Sequence, residues 1–247
     1  MQDLKVAHNR CAGNINSKNL SSSFLLVLVS LMMLSGSILI QACSPMPANP
    51  QTPSAVTQSE NKTAISLATN PTTTLMEALK NRKSASSFQT TPLPKDVLVE
   101  LLWAAWGINR PDGRRTAPSA MNAQEIDIYV LLADGTYIYD AKENQIRSVL
   151  AEDIRSKIGN KEPLMDAPVQ LVYVADYAKF RTGTQSDKDL LSACDAGFIG
   201  QNVYLYCAAQ GLGAHFYARI DPDALKEALQ LRADQAAIFA QAVGYPK

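Results

Sequence analysis

Ile126-Asp127-Ile128-Tyr129-Val130-Leu131-Leu132, then Ala133-Asp134-Gly135, then Tyr137-Ile138-Tyr139, reads as two strands joined by a tight turn. The flanking segments are helical. Pro94 opens a helix with Val97, Leu98, Leu101, Leu102 and Ala105 at helical spacing and Trp103 and Trp106 near its end, and Leu75, Met76, Ala78 and Leu79 form a shorter apolar face before it. Beyond the hairpin, 153–158 reads as helical, and 169–175 as a nearly continuous apolar strand, central in its sheet. The longest helix is expected over 187–210, closed by Gly211 in a left-handed cap. A strand over 216–220, a helix over 222–231 and a strand over 237–243 complete the chain. Helices and strands are intermixed and one hairpin is adjacent, so the expected class is α+β.

The long helix carries a stripe of Leu191, Cys194, Phe198, Leu205 and Leu212, yet Ile199, Val203, Tyr204 and Tyr206 occupy its other faces. A helix apolar nearly all round must be covered on all sides, which points to a twofold dimer or to a central helix in a monomer.

With 23 basic and 23 acidic residues among 247, nothing in the charge balance steers a polyanion. The amino terminus has its own character. Residues 24–40 are an uncharged run of 17, preceded by a basic segment and followed by Gln41-Ala42-Cys43, the pattern of a secretory signal with a bacterial lipobox. Gln41 is unusual in that box, and an uncleaved signal anchor is the alternative. The expected organisation is a signal over 1–42, a lipid-bearing Cys43 heading a Pro/Ser/Thr-rich flexible tether over 43–73, and a folded domain over 74–247. The first 42 residues hold Lys5, Arg10 and Lys18 against Asp3, so without them 20 basic and 22 acidic residues remain.

Several chemistries lack their residues. Cys194 and Cys207 are the cysteines left beyond Cys43, and thirteen positions along one helix place them about 20 Å apart, out of disulfide reach. Both are expected to be buried packing residues. His215 is the one histidine after the signal, so a poly-His zinc site is impossible, and there is no Cys-x-x-Cys, Gly-x-Ser-x-Gly, P-loop or Gly-x-Gly-x-x-Gly. No metal site is expected.

Two polar segments remain. Arg82-Lys83-Ser84-Ala85-Ser86-Ser87-Phe88 sets two cations and three hydroxyls at the end of a short helix, a composition suited to a phosphate. By itself it also fits a solvated basic helix end. Thr116-Ala117-Pro118-Ser119-Ala120-Met121-Asn122-Ala123-Gln124 mixes turn chemistry with amides, which read the edge of a heteroaromatic ring as readily as they fill an ordinary loop.

Taken in order, these segments resemble the nitroreductase family of flavoproteins. The 82–88 run matches that family's Arg-Arg-Ser-x-Arg-x-Phe-like start, and Pro118, Ser119, Asn122 and Gln124 match its Pro-Ser-x-x-Asn-x-Gln-like loop. Asp195-Ala196-Gly197 through Gln201-Asn202, Gly211-Leu212-Gly213, and Val243-Gly244-Tyr245-Pro246 follow in the family's order. Leu101-Leu102-Trp103-Ala104-Ala105-Trp106-Gly107-Ile108-Asn109 with Arg115-Thr116-Ala117-Pro118-Ser119 looks closest to its azoline-dehydrogenase-like branch.

The resemblance implies a three-layer α/β/α sandwich with a mainly antiparallel sheet, a homodimer, and noncovalent FMN at the interface. Arg82, Lys83, Ser84 and Ser86 would face the phosphate, and Ser119, Asn122 and Gln124, from the partner subunit, the flavin. Tyr217, Ala218 and Arg219 match the stretch passing the isoalloxazine. Trp106 and Phe216 are candidates for the substrate face, with core packing the leading reading for Trp106. No catalytic side chain is implied, because the flavin carries the hydride in a ping-pong cycle between a donor and a small organic or quinone-like acceptor.

Two departures stand out. Ser86 replaces a third basic residue, and the chain stops at Lys247 where many relatives extend; Lys247 is available to supply the missing charge, its terminal carboxylate partly cancelling it. Tethering outside the cytoplasm, away from NAD(P)H, leaves the donor open. A non-catalytic flavin-binding or interaction lipoprotein is the competing expectation.

Overall fold

The computed structural model describes residues 73–159 and 164–247. The expected signal, the Cys43 lipid site and all of the tether except Thr73 lie outside the described residues.

Helix α1 (Leu75–Asn81) starts at Thr74, whose hydroxyl accepts from the Glu77 amide while the Glu77 carboxylate accepts from the Thr74 amide, satisfying two end groups reciprocally. Its expected apolar face buries only Ala78; Leu75, Met76 and Leu79 are 64%, 62% and 44% exposed. Helix α2 (Lys95–Trp106) begins after Pro94 and buries Leu98, Leu101, Leu102, Ala105 and Trp106. The Trp106 indole N–H donates to the Ile126 carbonyl at 2.8 Å, so this tryptophan is core and ties α2 to the sheet.

Strands β1 (Ile126–Leu132) and β2 (Gly135–Asp140) form the expected hairpin. They are joined by β3 (Gln145–Leu150), β4 (Val169–Asp176), β5 (Gly213–Tyr217) and β6 (Gln235–Gly244) in the order β3-β2-β1-β4-β6-β5, every neighbouring pair antiparallel. All eight residues of β4 are buried, as a central strand requires. Alternation along the strands divides the core. Ile126, Ile128, Val130, Leu171 and Tyr173 face α2 and the long helix α3 (Gln185–Ala209), whereas Tyr129, Leu131, Val172 and Val174 face α4 (Pro222–Ala228) and the turn at Ile158. The result is the expected α/β/α sandwich on an antiparallel sheet.

Several boundaries differ from expectation. The structure adds β3, an edge strand whose residues are largely exposed and so leave little apolar alternation to read. The segment expected as a helix over 153–158 is a short 3-10 turn, Arg155–Ile158. Strand β5 begins three residues earlier than expected, because Gly213 and Ala214 already pair with Gly244 and Val243.

The long helix is capped at Thr184 by a reciprocal bond with Asp187, and Gly211 follows it with φ +69°. Within one chain it buries one face, and Leu191, Cys194 and Phe198 of the stripe are not on it. Ser192, Asp195, Ala196, Ile199, Gly200, Val203 and Cys207 are buried, while Cys194 is exposed and Phe198 is 49% exposed. Small residues set the contact. A Cβ on Gly200 would lie 2.6 Å from the Phe216 ring, which is itself held by Tyr173 and Phe239 with ring centroids 5.5 and 5.0 Å away. Gly200→Ala is therefore expected to cost about 1–3 kcal/mol by overpacking, read as a lower urea midpoint with an unchanged slope.

Candidate functional site

The 82–88 run is laid along β5 as a short extra ladder. Ser84 bridges Ala214 in parallel, the Ala85 amide donates to the Ala214 carbonyl at 2.9 Å, and Phe88 pairs with Pro246. His215 Nδ1 lies 2.8 Å from the Ala85 carbonyl; since a carbonyl only accepts, that nitrogen carries the proton. The chain's lone described histidine thus fastens the run to β5. Close approach needs Gly213, where a Cβ would sit 2.8 Å from that of Ala85.

Tyr204, on the second half of α3, organises the cations and hydroxyls. The Phe216 amide donates to its hydroxyl at 2.8 Å, and that hydroxyl lies 2.9 Å from Ser84 Oγ. Either hydroxyl can donate to the other, and the pair links Ser84 to the Phe216 backbone through Tyr204. The Arg82 guanidinium stands over the Tyr204 ring, 5.2 Å from its centroid. Among the described residues neither Arg82 nor Lys83 is in an ion pair. Lys83, Lys80, Tyr204, Gly211 and Gly213 line a cleft of about 460 Å³ beside the run. Cys207 lies in its wall, and burial pushes its thiol far up, so it is inert there. Charge, donors and space suit a phosphorylated ligand. Tyr204 was not legible as a site residue, since its helix reads as packing surface.

The second segment is a strained loop. Met121, Asn122 and Gln124 have φ of 54°, 52° and 50°, conformations that cost non-glycine residues about 1–3 kcal/mol each unless the surroundings hold them. They are held. The Gln124 amide donates to Ser119 Oγ at 2.8 Å, Arg115 Nε donates to Gln124 Oε1 at 2.8 Å, and Gln124 Nε2 donates to the Gly113 carbonyl and to Asn122 Oδ1. The Ala120 amide donates to Asp195 Oδ2 at 2.8 Å, and Ser119 Oγ donates to Glu125 Oε2 at 3.3 Å. Sequence reasoning placed Asp195 in a family motif without a role and missed Glu125. Glu125 is fully buried and its carboxyl is pushed up to about 7, by burial first and then by the facing Asp195, whose own carboxyl is raised by burial.

Within one chain these two segments grip different parts of α3. Asp195 and Tyr204 are nine residues apart, which is about 14 Å along the axis and half a turn around it. The structure brings Arg82 and Ser84 together at Tyr204, and links Ser119, Asn122 and Gln124 to one another in a loop that Asp195 holds through Ala120.

The other expected residues are scattered around these centres. Ser86 is exposed at the edge of the run. Tyr217 is buried, its hydroxyl donating to Gln170 Oε1 at 2.9 Å, and Ala218 and Arg219 are exposed just beyond β5. Phe216 is partly buried between Tyr173 and Phe239. The Lys247 amide donates to the Ser87 carbonyl, but its ammonium pairs with Asp166 at 2.7 Å.

A family model described as the nitroreductase family matches residues 79–245. A crystal structure from Ralstonia eutropha JMP134, described as a nitroreductase, is 38% identical with a TM-score of 0.68, covering 71% of this chain and 84% of that one. A protein of Methanocaldococcus jannaschii bearing the nitroreductase name is 26% identical over 169 residues, covering 64% of this chain and 85% of the relative. The Escherichia coli microcin synthetase McbBCD complex with truncated pro-MccB17 shares the fold at 18% identity and a TM-score of 0.60.

Proposed function

The chain belongs to the nitroreductase family, and from that premise we propose that it is an FMN-dependent oxidoreductase whose flavin site is divided between two protomers. The observation that carries this reading is the pair Arg82 and Lys83, in no ion pair among the described residues, beside a Ser84 hydroxyl held by Tyr204 at the start of β5. In this reading Arg82, Lys83 and Ser84 bind the phosphate, with Ser86 at the rim. Tyr217 lies about 10 Å further along β5 from Ala214, with Ala218 and Arg219 just beyond the strand, a course that suits an elongated cofactor. Ser119, Asn122 and Gln124 of the partner subunit complete the ring contacts, which the half-turn offset between Asp195 and Tyr204 supports.

A homodimer also gives the exposed Leu75, Met76, Leu79 and Phe198 a cover. FMN, when bound, carries the hydride, so the chain's residues orient it and need no acid–base triad. A donor and then a small organic or quinone-like acceptor occupy the same open face in turn. The 101–109 and 115–119 segments favour the azoline-dehydrogenase-like branch, and the signal and Cys43 favour a lipoprotein held outside the cytoplasm, where a quinol or protein donor is more available than NAD(P)H.

The test is the full-length chain purified in mild detergent. A yellow protein that rebinds added FMN, has a dimer's mass by light scattering, and once photoreduced is reoxidised by quinones or nitroaromatics is expected. A colourless chain that binds no added FMN overturns the reading. A flavin that binds and never turns over favours the alternative, a flavin-binding module without catalysis.

A further inference from the structure

The loop over 119–124 hangs on two acids, and one of them is incompletely partnered. Glu125 Oε2 accepts from Ser119, but Glu125 Oε1 is buried with no hydrogen-bond partner. Such an oxygen is costly as an ionised acceptor and becomes a donor if it holds a proton. The adjacent residues Ser119 and Ala120 donate to Glu125 and to Asp195 respectively, which brings the two carboxyls into one pocket where they interact. The cations on the neighbouring elements are engaged elsewhere. Lys179 lies on Asp127 at 2.8 Å and on the Gln124 carbonyl, Arg232 on Asp176 at 2.7 Å, and Arg115 on the Gln124 amide oxygen. Ser192, also on α3, is buried and neutral. Among the described residues, none of these cations is paired with either of the two buried carboxylates.

We propose that Glu125 and Asp195 share one proton and act as positioning residues for the 119–124 loop, so that the loop's grip on the flavin depends on that proton. This rests on the flavin reading above. Burial and the facing acid raise Glu125 to about 7, which places the change at neutrality. With the proton present, Glu125 donates to Asp195, Ser119 and Ala120 are fixed, and the left-handed residues between them are held. As pH rises through neutrality the proton leaves, the carboxylates repel, and the loop slackens.

The experiment is FMN titration of the full-length chain, wild type, Glu125→Gln and Glu125→Ala, from about pH 5.5 to about pH 8.5. Dividing the wild-type Kd by the E125Q Kd at each pH cancels the titration of the FMN phosphate. The amide of glutamine keeps the donor at every pH, so the ratio is expected near one in acid and to climb by roughly tenfold in base. E125A is expected to bind more weakly than E125Q throughout. A flat ratio, or E125Q as weak as E125A, overturns the proposal.

Amide exchange at Ala120 and Gln124 without FMN reads the latch separately. Wild type is expected to exchange faster than E125Q only above neutrality, and equal rates throughout also overturn it. If no variant binds FMN while this exchange difference appears, the latch stands and the flavin reading falls.

Discussion

Arg82→Glu is expected to lower FMN affinity by about a hundredfold or more, measured by quenching of flavin fluorescence. The substitution removes a charge-assisted hydrogen bond, worth about 1.5–3 kcal/mol, and sets a carboxylate against the phosphate. It also lifts the guanidinium off the Tyr204 ring. Lys95→Glu, which reverses an exposed charge on the first turn of α2, is the control. It is expected to leave affinity nearly unchanged, because Lys95 lies on α2, outside the basic run.

Phe88→Ala is expected to destabilise the fold by about 3–5 kcal/mol and to weaken FMN binding with it. Phe88 ends the basic run and is fully buried. Its ring lies 3.2 and 3.5 Å from where a Cβ would stand on Gly213 and Gly244, and its backbone pairs with Pro246. Without the ring the run loses its anchor on β5 and the C-terminal strand. Urea unfolding followed by far-UV circular dichroism measures the first effect, and flavin titration at low denaturant the second.

These two residues show how far the sequence carries. The hairpin turn at Asp134-Gly135 and the apolar continuity of β4 are local patterns, and each appears where it was expected. Which face of α3 packs within one chain was not legible, because hydrophobicity does not rank the faces of a helix that is apolar nearly all round. Ala196 and Gly200 are small enough to admit Phe216, so the helix turns its small and polar residues inward and leaves Phe198 exposed. Cys194 follows Phe198 outward, and of the two cysteines only Cys207 packs. Glu125 precedes a strand and reads as a solvated acid, because its burial against Asp195 brings together residues 70 positions apart. Tyr204 is hidden in the same way. Its role follows from three contacts made across the chain, with Arg82, Ser84 and Phe216. Lys247, the candidate for the run's missing third cation, has its ammonium on Asp166 at 2.7 Å.

The divided site is tested most directly by a mixed dimer. Arg82→Glu in one protomer and Ser119→Ala with Asn122→Ala in the other, co-expressed with different tags and purified through both, leave one composite site intact and one doubly damaged. The flavin bound per dimer is then counted by absorbance. A single tightly held FMN per mixed dimer, with neither homodimeric variant retaining any, is the predicted result. A mixed dimer as empty as its parents would contradict the account, because the basic run and the loop would then serve the same site from within one chain.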